Sequence, residues 1–224
     1  MPQRLQGRVL KWNSINCQKS KEVAIKNARN AFAESIGDSC NEEVSEYVDS
    51  ILAKDLSDHG IGLEVLSYRK GVKEYDYGYS GFYSQGDGFH FCTNWFEPWQ
   101  FIRKEKLGKK YAKLVNANKK IDCNVGGIIN RKNNGSHYQH ENTVELDTVI
   151  QIDRNEQAPA SYNIKEIESQ AQDVLDEMFE FCQDKMRETY KWARENYEAN
   201  MSDEYIEDFI LGNDIEFAKD GDIE

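Results

Sequence analysis

Ser84, Gln85 and Asp87 stand among glycines and aromatic rings in the run Tyr79-Ser80-Gly81-Phe82-Tyr83-Ser84-Gln85-Gly86-Asp87-Gly88-Phe89. Short polar side chains at the end of a sheet, ringed by aromatics, supply the donors and acceptors that suit a small polar ligand or a partner loop. The same residues also satisfy a plain hairpin turn, in which glycine takes positive φ and Asp87 bonds its own backbone. The run is neither a dinucleotide fingerprint nor a Walker loop, since the glycine spacing and a following lysine are missing. A second set is His137 and His140, with Tyr138 between them. A His-x-x-His pair joined by Asp87 or His90 would be metal-ligand chemistry, and one imidazole beside Asp87 would be general-base chemistry. On an extended strand, however, residues three apart face opposite ways. The histidines are therefore read as structural or surface residues, and His140 is kept with Ser84, Gln85 and Asp87 as a ligand-binding candidate. Cys17, Cys40, Cys92, Cys123 and Cys182 form no CxxC pair and carry no flanking signature of a nucleophile, a pattern of reduced intracellular thiols. No catalytic residue, metal ligand or cofactor is assigned, and a binding role is preferred to an enzymatic one.

Charge supplies the other candidate surface. The 224 residues carry 28 Lys+Arg against 40 Asp+Glu, a net −12. Residues 1–60 are net −1, residues 61–160 net +2, and residues 161–224 hold 6 basic and 19 acidic side chains, net −13. Acidity therefore disfavours contact with phosphates or anionic lipid chiefly at the C-terminal end. Between Glu166 and Asp184 there are seven carboxylates and no base. One reading is an amphipathic helix with a solvated face. The sharper reading is a surface that imitates nucleic acid and competes for a basic groove, with Glu166, Asp173, Glu177, Glu180 and Asp184 as partner-binding candidates. The opposite charge lies in Arg103, Lys104, Lys106, Lys109, Lys110 and Lys113, after the aromatic run Trp95-Phe96-Glu97-Pro98-Trp99. That segment reads as a packed aromatic corner with a solvated basic face, which can also pair with the chain's own acidic helices.

The elements that must hold these groups follow from periodicity. Lys19 to Ile36 reads as a helix, and Asn41 offers the N-cap of a second helix that His59-Gly60 ends. Ile61 to Tyr68 alternates as a strand, and Tyr75, Tyr77 and Tyr79 with Phe89-His90-Phe91-Cys92 predict two aromatic strands joined by the glycine turn. A basic helix is expected near Phe101 to Ala117, then strands over Ile121–Asn130 and Tyr138–Ile152. From Asn163, Ile164, Ile167, Ala171, Val174, Met178, Cys182, Thr189, Ala193 and Tyr197 trace one helical stripe. Ser202 caps a short helix to Leu211, and Asp214 to Ala218 is a candidate last strand. The class is α+β: N-terminal helices, an antiparallel sheet of about four to five strands, and a long acidic C-terminal helix with a short one after it. The expected organisation is a body over residues 1–160 with an acidic helical segment, 161–224, packed on it, as one domain overall. No apolar run approaches the roughly 18 residues of a membrane span, and Met1 to Gln6 lacks a signal-peptide core, so a cytoplasmic protein is expected.

The run Tyr79 to Gly88 resembles the signature of a widespread group of phage and prophage proteins, whose core reads aromatic-Ser-Gly-Phe-aromatic-Ser-Gln-Gly-Asp-Gly. Ser136-His137-Tyr138-Gln139-His140 is similar to the group's Tyr-x-His segment, and Tyr197 to Gly221 is similar to its usual C-terminal ending. Members are often called hypothetical or antitoxin-like. The resemblance implies phage origin and the cytoplasm of an infected bacterial host. The expectation is an accessory protein that binds a host protein and inhibits a defence or nucleic-acid-handling system, without direct nucleic-acid or membrane contact. The alternatives are a nucleotide-like ligand binder or hydrolase at the Ser-Gln-Gly-Asp-Gly turn, and a neutraliser of a basic toxin. A homo-oligomer is compatible with each.

Overall fold

A computed structural model describes residues 10–15, 18–69, 72–82, 86–132, 138–153, 162–217 and 223. In chain order, β1 (Leu10–Lys11) precedes α1 (Gln18–Tyr47), a π-helical turn over Val48–Leu52 and α2 (Ala53–Asp58). Six short strands follow: β2 (Ile61–Leu63), β3 (Val65–Arg69), β4 (Val72–Tyr75), β5 (Tyr77–Tyr79), β6 (Phe89–Phe91) and β7 (Thr93–Phe96). Then come α3 (Pro98–Lys104), α4 (Ala112–Asn118), β8 (Cys123–Arg131), β9 (Val144–Ile152), α5 (Ile164–Asn200), α6 (Asp203–Gly212) and β10 (Glu216–Phe217). The class is α+β, with every strand pair antiparallel. The chain divides into two compact units, residues 1–44 with 192–224, and residues 45–191. These boundaries lie apart from the change of charge at residue 160.

Asn41 does not cap a new helix. It lies inside α1, and helical structure runs without a break from Gln18 to Asp58. The reason is a buried stripe at four-residue spacing: Ala24, Ala28, Ile36, Cys40 and Val44, then Val48, Leu52 and Leu56. Burial of that stripe overrides the weak helix propensity of Gly37-Asp38-Ser39. A strict spacing of four gains about 40° per step on an ideal α-helix. The π turn takes one more residue into its turn, which opposes that drift where Val48 and Leu52 face the core. The end at His59-Gly60 is as expected: Gly60 has φ 78°, and its N–H bonds Ser57 O at 3.0 Å.

In the unit formed by residues 1–44 and 192–224, Trp12, Ile15, Ala24, Ala28, Ile36, Ile206, Ile210 and Phe217 make the core. β1 pairs with β10, with Leu10 opposite Phe217. Ser202 caps α6 as expected, accepting from Tyr205 N–H at 3.2 Å. The acidic tail of this unit is partly neutralised by Arg29, which pairs with Asp203, and Lys11, whose Nζ lies 3.2 Å from Asp214, while Trp12 Nε1–H donates to Glu207 at 2.9 Å.

In the unit of residues 45–191 the strands do not form one continuous ladder. β2 pairs with β7, β3 with β4, β5 with β6, and β8 with β9. The expected strand over Ile61–Tyr68 is interrupted at Glu64, and Asp76 and Cys92 interrupt the other two runs in the same way. Pairing closes on itself around these three residues: Leu63 faces Thr93, Phe91 faces Tyr77, and Tyr75 faces Val65. The breaks satisfy one another. Glu64 N–H donates to Cys92 O at 3.0 Å, Cys92 N–H to Asp76 O at 2.9 Å, and Asp76 N–H to Glu64 O at 2.8 Å. A ring of three backbone bonds thus joins three strands at one point, and no peptide group there is orphaned.

Two further expectations are corrected. The basic helix expected over Phe101–Ala117 is two helices, because Lys106 takes a left-handed φ of 58° and a short 3-10 turn follows at Leu107–Lys109. The strand expected from Tyr138 starts at Val144. His140 instead opens a 3-10 turn over Glu141–Thr143, its Nδ1 accepting from Asn142 N–H at 3.2 Å.

A Cβ at Gly37 would meet nothing within 4 Å. Gly37→Ala is therefore expected to raise stability by about 0.5–1 kcal/mol, through helix propensity alone. Urea unfolding measures it, and a loss of stability would contradict the continuous helix.

Candidate functional site

The β5–β6 hairpin has two unlike faces because side chains alternate. One face carries Tyr77, Tyr79, Phe89 and Phe91, with Tyr77 and Phe89 ring centroids 5.6 Å apart. The other carries Asp76, Gly78, Ser80, Gly88, His90 and Cys92 in the register Gly78 opposite His90. The loop at 138–140 lies over this second face, with Gln139 N–H donating to Gly86 O at 3.2 Å. The glycines make room for it. A Cβ on Gly78 would run into Gln139 Oε1 and the His90 ring, and one on Gly88 would come within 2.6 Å of His140 Cβ.

Polar atoms are enclosed beneath that loop. Ser80 Oγ, His90 Nδ1 and Gln139 Oε1 are buried with no hydrogen-bond partner among the described residues. Each such group costs free energy unless something bonds it. His90 is 1% exposed. Burial, helped by the Arg131 charge, drives its pKa down to about 4; Asp76 pulls it up and His140 down. The imidazole is therefore neutral near pH 7.

At the strand junction the side chains converge as the backbones do. A Glu64 carboxylate oxygen, an Asp76 carboxylate oxygen and Cys92 Sγ all lie within 4.8 Å of one another. Cys92 is buried, and the two carboxylates are half-buried. Among the described residues no Lys or Arg side chain is paired with either carboxylate. Burial raises the Cys92 thiol to about 12, reinforced by the charge and hydrogen bond of Asp76 and the charge of Glu64; a bond from the Arg131 backbone opposes this. The thiol therefore stays protonated beside the two carboxylates at neutral pH. The trio can hold a proton on sulfur or a cation between the three atoms.

Of the ligand candidates named from sequence, Ser84 and Gln85 lie outside the described residues, as does His137. Asp87 is half-buried at the hairpin end, beside Gly81 and before the Gly88 that packs on His140. His140 is occupied as the cap of its own turn and stacks on Tyr138, ring centroids 6.2 Å apart. Glu64, Asp76 and Cys92 were not singled out, because they are 12 and 16 residues apart and share no motif. The alternation did contain a signal: Asp76 sits between two half-buried tyrosines on the opposite face, and His90 and Cys92 share the face opposite Phe89 and Phe91.

The five acidic candidates divide. Glu166 pairs with Lys113, and Glu177 with Lys110, so the basic segment does meet the chain's own acidic helix. Gln170 strengthens the join, Oε1 accepting from Leu114 N–H at 3.0 Å. Asp184 pairs with Arg187 one turn on. Asp173 and Glu180 are exposed and in no ion pair among the described residues. Burial raises Tyr111 to about 12, with the charges of Asp173 and Asp176 adding to it.

Two outcomes are expected. Gly78→Ala should cost about 1–3 kcal/mol by overpacking against Gln139 and His90; unchanged urea unfolding would remove the loop from that face. The Tyr111 hydroxyl is buried without a partner among the described residues. Its folded pKa lies above the unfolded value, so between pH 10 and about 12 only the unfolded chain loses the proton and stability falls as pH rises. Tyr111→Phe should keep or improve stability at neutral pH and lessen that alkaline loss, read from melting curves across the window.

The chain belongs to the family described as a domain of unknown function (DUF8835), whose model matches residues 40–203. No curated protein and no solved structure matches it. Among the described residues no helix is long and apolar enough to cross a membrane.

Proposed function

We propose that this member of the family is a phage-encoded accessory protein that acts by binding a host protein, inhibiting a defence or nucleic-acid-handling system through the outer face of α5. The observation that carries the reading is the division of the acidic residues. Glu166 and Glu177 are used internally against Lys113 and Lys110. Asp173, Asp176, Glu180 and Asp184 remain exposed at three- and four-residue spacing. That row places one carboxylate every turn, about 4.5–6 Å along the axis, a linear array of negative charge sparser than the ~3.4 Å repeat of one nucleic-acid strand. Such a row favours a basic groove by long-range attraction, and its effect falls with added salt. The resemblance to phage proteins supports the origin, and the cytoplasm of the infected host follows from it. A basic toxin would be recognised by the same row, so an antitoxin-like role shares this surface.

The test is a pull-down from host lysate, in low and high salt, with Asp173, Asp176, Glu180 and Asp184 all changed to Lys. These positions leave the Lys110 and Lys113 pairs intact, so folding should survive, as checked by circular dichroism. The expected result is a salt-sensitive host partner lost in the variant. A partner retained equally by the folded variant would sink the charge-mimic reading.

A second reading, a small polar ligand bound beside Asp87, is favoured by the unpartnered Ser80 Oγ, His90 Nδ1 and Gln139 Oε1 under the neighbouring loop. Asp87→Ala should then abolish the thermal shift that a nucleotide screen produces with the wild-type protein.

A further inference from the structure

We propose that Glu64, Asp76 and Cys92 form a binding site for a divalent cation of the zinc class at the point where three strands meet. Backbone geometry brings the three together. Each residue stands at the break of its strand, and the ring of N–H···O bonds at 2.8, 2.9 and 3.0 Å holds the three Cα positions against one another. The ligand atoms are pre-gathered, all within 4.8 Å. Zinc–sulfur distances of about 2.3 Å and zinc–oxygen distances of about 2.0 Å in a tetrahedron put ligand atoms about 3.3–3.5 Å apart. Small rotations of the Glu64 and Asp76 side chains close that difference without moving the strands.

The donor set selects the metal. One thiolate with two carboxylates is softer than the all-oxygen shells that magnesium and calcium take, and harder than the all-sulfur sites of copper(I). Zinc accepts this mixture, and three protein ligands leave a fourth position open. Glu64 and Asp76 are half-buried and Cys92 is buried.

A second observation points the same way. His90 is two residues before Cys92 on the same strand face, 1% exposed, with Nδ1 unpartnered among the described residues. A buried imidazole with an unmet ring nitrogen beside the ligand strand is the kind of group that supports ligating carboxylates from outside the ligand set. A cation would also relieve the accumulation of two carboxylates and a thiol, releasing the thiol proton to solvent as the sulfur–metal bond forms.

The test uses the full-length protein stripped with chelator. Zinc is added in competition with a chromophoric chelator, and cobalt(II) is added separately to read its spectrum. The expected result is one equivalent of zinc bound, with a thiolate-to-cobalt charge-transfer band. Cys92→Ser should lose the band, and Asp76→Asn should weaken zinc binding at least ~10-fold. A raised melting temperature with zinc in the wild type, absent in folded Cys92→Ser, would agree. Wild-type protein that binds no zinc, or binds cobalt without the sulfur band, overturns the proposal, and this holds even if a variant fails to fold. Zinc binding undiminished in folded Asp76→Asn and Cys92→Ser would also overturn it. Neither result bears on the acidic face of α5, which is read from partner capture alone.

Discussion

Three backbone hydrogen bonds, passed in a circle from Glu64 to Cys92 to Asp76, hold the centre of residues 45–191 together. In an ordinary antiparallel ladder a residue exchanges both bonds with one partner. Here each gives its N–H to one strand and takes its bond from the other, so three strands can each change partner halfway along. The breaks would otherwise leave buried donors and acceptors unmet, which a folded protein rarely tolerates. Because the flanking residues alternate, Leu63, Phe91 and Thr93 go to the buried side. The ring residues themselves then have one direction left, and it is shared.

That shared direction gives the junction its chemistry. Two carboxylates and a thiol are not gathered by any preference for one another; burial and mutual charge hold the thiol protonated. The arrangement exists because the backbone requires it, and the convergence of three ligand atoms marks it as a place for a cation. The nearby glycines belong to the same logic. At Gly78 and Gly88 the missing side chain lets the loop at 138–140 lie on the hairpin, enclosing His90 and Gln139.

On the long helix, the partition of charge is set by proximity. Once Lys110 and Lys113 sit beside α5, Glu177 and Glu166 are paired with them, while Asp173, Asp176 and Glu180 stay exposed. Exposed pairs of this kind contribute little stability. They leave a negative row of Asp173, Asp176 and Glu180, which ends at the Asp184–Arg187 pair.

Much of the architecture was legible because it is local. The stripe from Ile167 to Ala193, the Ser202 cap, the end at Gly60 and the pairing of Tyr77 and Tyr79 with Phe91 and Phe89 are all short-range patterns, and a chain must bury such patterns in the way its period dictates. The charge imbalance was likewise complete in the sequence, since counting needs no coordinates. What tertiary structure decided is of another kind. The continuity of α1 through Gly37 and Asn41 came from a core stripe that outweighs local propensity. The split of the basic segment turned on one left-handed residue, Lys106. The meeting of Glu64, Asp76 and Cys92 rests on strand pairings among three separate runs, and no spacing within a run records it. Periodicity tells a residue which side of its strand it occupies; only the partners of that strand determine what it meets there.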